Sequence, residues 1–234
     1  MAKTKTPKHE GFEEMLEDPD VLASKAEEFF DNKRNRNLVF GIGGVIAVVV
    51  AAFLIYKFYI TNQNQEAQEE MFQAVYFYEA DSLGKALNGD GNNFGFLDII
   101  DEYAGTDAAN LSNYYAGSTY LKLGDYKSAV RYLSDFSSSD ALVQARAYAL
   151  IGDANMEQGS YSEAASFYGK AANYNANEGY SPIYLQKQAI AYEANGDFSN
   201  AASSYSKIVD EFAKSTLVQE AKKQKARLEG LAAE

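Results

Sequence analysis

The sequence predicts an all-α protein in which a single N-terminal transmembrane helix is followed by a solenoid of helical hairpins. Three observations predict it. One long apolar run extends from Leu38 to Ile60, and apolar residues after it recur at three- and four-residue spacing. A glycine-aromatic turn then recurs at intervals of 35 and 37 residues. Spacing of three and four residues is the helical period, and a repeat of this length is typical of stacked helical hairpins.

The apolar run predicts a membrane span. It holds 23 residues, and its one formal charge is Lys57. A helix of this length reaches roughly 35 Å at about 1.5 Å per residue, enough to cross a hydrocarbon layer of about 30 Å. A buried core helix rarely runs this long without a polar face. A cleaved signal peptide would need a polar leader of 37 residues, so an uncleaved anchor is favoured.

The basic residues predict the orientation of the span. Lys33, Arg34 and Arg36 lie just before it, whereas the next basic residue after Lys57 is Lys85. By the positive-inside rule, residues 1–37 form a cytoplasmic tail, 38–60 the span and 61–234 an extracytoplasmic domain. Residues 1–20 are predicted to be disordered. Residues 21–32 form either a short amphipathic helix at the membrane surface or more of an unstructured tail.

Composition excludes several classes of function. Residues 61–234 carry 13 basic and 24 acidic side chains, a net charge of −11, which argues against binding nucleic acid or anionic lipid. The chain has no Cys, which excludes disulfides, a thiolate metal site and a lipid-modified N-terminal Cys. Its single His lies at position 9, so a His-based triad or a multi-histidine metal site is excluded. No catalytic, cofactor or metal site is predicted, and the chain is not expected to be an enzyme.

Small residues form one face of the span. Gly43, Ala47 and Ala51 follow one another at four-residue intervals. Because small residues let the backbones of two helices approach closely in lipid, this face is a candidate for packing against a helix of a membrane partner.

After the span, apolar residues from Met71 to Leu87 predict one amphipathic helix that ends at the loop 88–93. This Asn- and Gly-rich loop superficially suggests a calcium site. It fails the EF-hand pattern, because Asn93 stands where Gly is required and Ile99 where Glu is required. The loop is therefore predicted to be a plain connection.

The repeat is the strongest signal in the outer domain. Its turns are Gly124–Tyr126, Gly159–Tyr161 and Gly196–Phe198. Small residues follow the aromatics at Ala129, Ala164 and Ala201, and others precede the glycines at Gly117, Gly152 and Ala189. A second series, residues 99–104, reappears as residues 208–213, with the paired carboxylates Asp101-Glu102 and Asp210-Glu211 at equivalent helix positions. A solvated helix face explains these pairs better than catalysis does.

This spacing resembles the tetratricopeptide repeat (TPR), in which small residues lie where the two helices of a hairpin cross and Gly opens the turn. The resemblance places repeats at 110–142, 145–177 and 182–212, a degenerate repeat at 66–105 and a capping helix at 215–231. Such arrays present a concave groove to partner proteins. By repeat position, its lining would be Tyr114, Ser118, Leu121, Ala149, Asp153, Met156, Gln186, Ile190 and Glu193.

The layout of tail, span and acidic repeat domain is similar to that of the YfgM family of bacterial inner-membrane proteins. The features that carry this resemblance are the basic residues 33–36, the span and the three turns. It implies an ancillary subunit of the Sec translocon that helps secreted client chains together with a membrane-anchored periplasmic chaperone of the prolyl-isomerase type. A scaffold for envelope biogenesis or division is the alternative. An organellar import receptor needs the opposite orientation, which the basic residues disfavour.

Overall fold

The computed structural model describes residues 19–233, which form eleven helices and no strand. The chain divides after Tyr59 into two units. The helices are α1 (Pro19–Asp31), α2 (Lys33–Glu79), α3 (Leu83–Asn88), α4 (Phe96–Glu102), α5 (Asp107–Leu123), α6 (Tyr126–Asp135), α7 (Ala141–Glu157), α8 (Tyr161–Asn173), α9 (Ser181–Ala194), α10 (Phe198–Glu211) and α11 (Val218–Leu231).

The first unit contains α1 and the apolar part of α2. Of the two alternatives for residues 21–32, the structure has the helix, α1, which also includes residues 19 and 20 of the segment predicted to be disordered. The rest of that segment, residues 1–18, lies outside the described residues. Within the described chain, α2 is the one helix with the length and apolar composition to cross a membrane. Its most apolar stretch is not buried by any other described residue; Phe40, Val48 and Ile55 are each 70% exposed. Such a surface is suited to lipid.

The prediction of one continuous amphipathic helix from Met71 to the loop at 88 is wrong, because this segment forms the end of α2 and a separate helix, α3. Asp81 adopts a left-handed backbone conformation (φ 54°), and the amide of Ser82 donates to the carbonyl oxygen of Phe77. This arrangement ends α2 at Glu79. Asp tolerates the left-handed conformation better than most residues, so a helix can end there without Gly. Leu87 still reaches the same core cluster as Phe77, so the apolar spacing alone does not reveal the break.

Three helical hairpins follow: α5 with α6, α7 with α8, and α9 with α10. Gly124, Gly159 and Gly196 open their turns with φ of 79°, 73° and 77°, which confirms that these positions need the backbone freedom of Gly. In two of the turns an Asp caps the second helix. Asp125 accepts from the amide of Ser128 and Asp197 from that of Asn200, each at 3.1 Å.

The two helices of a hairpin cross closely at the small residues that the repeat pattern singles out. A Cβ on Gly117 would lie 2.5 Å from Cγ of Leu133, and one on Gly152 would lie 2.6 Å from Cε1 of Tyr168. The small residues of the second helices are fully buried: Ala129, Ala164 and Ala201. Three successive clusters of buried residues, rich in alanine, form the core along the hairpin array.

The second repeated series also has equivalent surroundings at its two sites. Ile99 and Ile208 are fully buried, and Tyr103 and Phe212 are 8% and 7% exposed. The paired carboxylates at 101–102 and 210–211 are all exposed, as a solvated helix face requires. Thus α4 corresponds to the second helix of a hairpin. At the other end, α11 packs on α10 and contributes Leu228 to the last core cluster.

Replacing Gly152 by Ala is expected to lower the melting temperature. The ring of Tyr168, which is 4% exposed, cannot withdraw easily from the new methyl group. Overpacking of about 1–3 kcal/mol should outweigh the gain in helix propensity of about 1 kcal/mol. Thermal unfolding of the full chain in mild detergent, followed by circular dichroism, measures the change.

Gly84→Ala is the matched control, because Gly84 is also helical and a Cβ there meets nothing within 4 Å. It should leave the melting temperature unchanged or raise it. Equal responses of the two variants would show that the helix crossing at Gly152 is not tight.

Candidate protein-binding surface

The first helices of the three hairpins, α5, α7 and α9, carry the nine residues predicted to line a groove. Two of them are buried: Ser118 is 5% exposed and Ala149 is 4% exposed. The hydroxyl oxygen of Ser118 has no hydrogen-bond partner among the described residues. Ile190 is 46% exposed, and the other six are half-buried. Seven of the nine side chains are therefore accessible to a partner, and the binding role of the set stays a prediction.

Tyr114 is held at the boundary between the first and second hairpins. Nε of Arg146, on α7, donates to the hydroxyl oxygen of Tyr114, on α5, at 3.1 Å. The rings of Tyr115 and Phe136 lie 5.7 and 5.3 Å from the Tyr114 ring. These contacts fix the Tyr114 ring before any ligand binds.

Three of the predicted residues come together around one surface cavity of about 450 Å³. It lies where α5, α7 and the second helices α6 and α8 meet. Its lining is Leu121, Tyr126, Asp153, Met156, Glu157 and Tyr168. The cavity, which we call the acidic cavity, combines two apolar side chains, two aromatic rings and two carboxylates, and it has the size of a typical ligand pocket of about 300–1,000 Å³.

Asp153 organises the polar groups at this cavity. Its Oδ1 accepts from the hydroxyl of Tyr168 and from Nζ of Lys187, both at 2.6 Å. The three residues lie on α7, α8 and α9, so the carboxylate links two hairpins. Burial first, and the hydrogen bond to Asp153 second, raise the pKa of the Tyr168 hydroxyl above its ordinary value. Tyr168 therefore stays protonated and acts as a donor at neutral pH.

Glu157 is the second carboxylate of the acidic cavity. It is exposed, and its Oε2 accepts from the hydroxyl of Tyr126 at a long distance of 3.4 Å. Asp153 and Glu157 are four residues apart on α7, where two like charges repel each other at a cost of a few tenths of a kcal/mol. The pair gives the cavity a negative potential that Lys187 offsets only in part.

The last hairpin presents a different surface. Glu193 forms a two-point ion pair with Arg227 of the capping helix, with Nη1 to Oε1 at 2.9 Å and Nη2 to Oε2 at 2.7 Å. This contact raises the pKa of Arg227, through the hydrogen bond to Glu193 first. Glu193 therefore has an ion-pair partner within the protein. The side chain of Ile190 is exposed and that of Gln186 is half-buried.

A second cavity, of about 390 Å³, lies between α2 and the start of α5. It is mostly apolar and is lined by Gln68, Met71, Phe72, Val75, Asp107, Ala108 and Leu111. Phe72 is 73% exposed. Repeat positions did not predict this cavity. Its lining residues on α2 belong to the degenerate repeat, where no turn motif shows how the sequence aligns with the other repeats.

The acidic cavity also contains three residues that the groove prediction missed: Tyr126, Glu157 and Tyr168. The first and third lie on second helices, which repeat logic assigns to the outer face. A signal for Glu157 was present in the sequence, since an acidic residue four positions after Asp153 on a helix is unfavourable unless something uses it. No comparable signal distinguishes Tyr168 from other packed aromatics.

The predicted packing face of the span is open in the structure. A Cβ on Gly43 meets nothing within 4 Å, and the side chains at positions 43, 47 and 51 are exposed. Whether a partner helix packs there stays a prediction. Within the described part of the chain, no three His, Cys, Asp or Glu side chains are grouped so as to hold a metal ion.

The fold defines an array of helical hairpins, a class of protein that generally serves as a scaffold for protein–protein interaction rather than as a catalyst. Tetratricopeptide-repeat family models match residues 114–178 and 184–215. These two segments, which include most of the three hairpins, are therefore tetratricopeptide repeats. No curated protein matches the chain.

Replacing Tyr168 by Phe should destabilise the protein while keeping the ring that packs on Gly152. The variant loses a part-buried hydrogen bond to a carboxylate, and such bonds are worth at most about 1.5–3 kcal/mol. Because the pKa of Tyr168 is raised in the folded state, the stabilisation is fully present at neutral pH, begins to fall as the pH rises past about 10, the unfolded pKa, and is fully lost only above the folded pKa. The stability difference from the wild type should therefore shrink at high pH. Thermal unfolding at pH 7 and pH 10.5 measures it.

Tyr126→Phe is the control for this variant, since it removes a longer and more exposed hydrogen bond to Glu157. Its effect at pH 7 should be small. If both variants lost the same stability, the Asp153 network would contribute nothing specific to the fold.

Proposed function

We propose that this chain is a single-pass membrane protein that holds its tetratricopeptide repeats outside the cytosol and recruits protein partners there. The observation that carries the proposal is the joint presence of two features in one chain. One is an apolar helix whose span-length stretch is not buried. The other is a set of repeats with a preformed cavity and open groove residues. A tethered interaction domain needs both features.

The partners that we propose are the bacterial Sec translocon and a membrane-anchored periplasmic chaperone of the prolyl-isomerase type, in the inner membrane. The chain would act as an ancillary subunit that assists secreted or membrane proteins as they emerge. Support comes from the YfgM-like layout of short tail, single span and acidic repeat domain. It also comes from the open helix face at Gly43, Ala47 and Ala51, which would pack on a helix of a membrane partner.

The orientation is tested with reporters fused after Glu234. A reporter that is active only outside the cytosol should be active, because the basic residues lie on the N-terminal side of the span. A reporter that is active only in the cytosol, fused at the same point, is the control and should be silent. The reverse pattern would overturn the proposed location and return the organellar receptor to consideration.

The partner is tested by widening the packing face with Gly43→Leu and Ala47→Leu together. Both changes make the span more apolar and neither meets another part of the chain, so membrane insertion should be retained. Loss of close backbone approach should release the membrane partner. The measurement is affinity purification in mild detergent, with mass spectrometry of the proteins that co-purify with variant and wild type.

Gly41→Leu with Ala52→Leu is the matched control. It makes the same two kinds of substitution at exposed positions roughly half a helical turn away from the packing face, and it should retain the partner. Full retention by the first variant would mean that the span is only an anchor. Recovery of envelope biogenesis or division proteins without the translocon, from the wild type, would replace the proposed partner by the alternative scaffold.

A further inference from the structure

We propose that the acidic cavity binds the lysine or arginine side chain of a partner polypeptide, with an apolar neighbour of that residue packed beside it. The inference rests on the proposed interaction function and names what the repeats recognise. It follows from the carboxylates of the cavity, its apolar walls and the charge of the domain.

The carboxylates leave hydrogen-bond acceptors unused. Oδ1 of Asp153 is occupied by Tyr168 and Lys187, but its Oδ2 accepts no hydrogen bond from any described residue. Glu157 has only the long contact to Tyr126. Since Lys187 offsets one of the two negative charges, about one unit of negative charge is left facing the cavity. A single ammonium or guanidinium group would neutralise this remaining charge and relieve the repulsion between the two carboxylates.

The other walls match the rest of a basic side chain. Leu121 and Met156 offer apolar surface to the methylene groups that lysine and arginine carry below their charged ends. The half-buried ring of Tyr126 also lines the cavity, and aromatic faces attract cations, whereas the ring of Tyr168 is buried and already lies under Lys187. The domain as a whole has a net charge of −11, which steers basic segments toward it and repels acidic ones.

The sequence supplies a local reporter for the test. The chain has four Met residues, of which Met71 and Met156 lie in the described domain. Met156 lines the acidic cavity, and Met71 lines the apolar cavity between α2 and α5. Methyl groups labelled with carbon-13 on methionine therefore report on each cavity separately in one spectrum.

The experiment titrates the full chain, in nanodiscs of zwitterionic lipid, with the peptide acetyl-Gly-Leu-Lys-Leu-Gly-amide and its arginine analogue. Uncharged lipid avoids attraction of the peptide to the membrane. Both peptides should shift the methyl signal of Met156 saturably and leave that of Met71 unchanged. Peptides with norleucine or glutamate in place of lysine should shift neither signal at the same concentration. This comparison uses the wild-type protein and needs no variant.

A variant then identifies the carboxylate. Glu157→Gln should weaken lysine-peptide binding by about five- to tenfold, because it removes one charge that faces the bound cation. Glu163→Gln is the matched control: Glu163 is exposed in the first turn of α8 and does not line the cavity. The Glu163→Gln variant should bind the lysine peptide with the affinity of the wild type.

Equal shifts of Met156 with the norleucine and lysine peptides would overturn the proposal in favour of a purely apolar site. So would shifts of Met71 alone, or unchanged affinity in Glu157→Gln. Failure of the proposed function is recognised separately. It would appear in affinity purification as wild-type protein that co-purifies with none of the proposed partners. The Met156 titration does not depend on that result.

Discussion

The close crossing of the two helices within each hairpin is the constraint on which the rest of the repeat domain depends. Gly117 lies against Leu133 and Gly152 against the ring of Tyr168, and in both places a Cβ would come within 2.6 Å of the facing side chain. Because the helices approach this closely, alanine makes up half of the buried residues in one core cluster and nearly all of them in another. Each hairpin is therefore thin enough to stack on the next, as a solenoid requires.

The same crossing shapes the acidic cavity. Gly152 leaves room for the ring of Tyr168, which can then reach Asp153 with its hydroxyl, and Lys187 joins the same oxygen from the next hairpin. One glycine thus determines where an aromatic ring, a carboxylate and an ammonium group meet. The acidic cavity lies directly beside this junction, so its shape is set by the packing of the fold and not by a mobile loop.

Much of the fold follows from the sequence because its signals are local. A glycine in each turn and small residues at fixed distances from it predict the hairpins, and the apolar run predicts the long helix α2. The first repeat shows the limit. Apolar spacing from Met71 to Leu87 is continuous, yet the chain turns at Asp81. A turn that returns the chain to the same core preserves the apolar period, so periodicity alone cannot locate it.

The sequence by itself determined that the protein has a span-length apolar helix, followed by an acidic domain built from helical repeats. Leu121, Asp153 and Met156, which repeat position assigned to one groove, line one cavity in the structure. Only the tertiary structure decided that Ser118 and Ala149 are buried, and that Glu193 is paired with Arg227. It also added second-helix side chains to the cavity. The reason is physical: repeat spacing fixes the face on which a residue lies, whereas burial and ion pairing depend on side chains from distant parts of the chain.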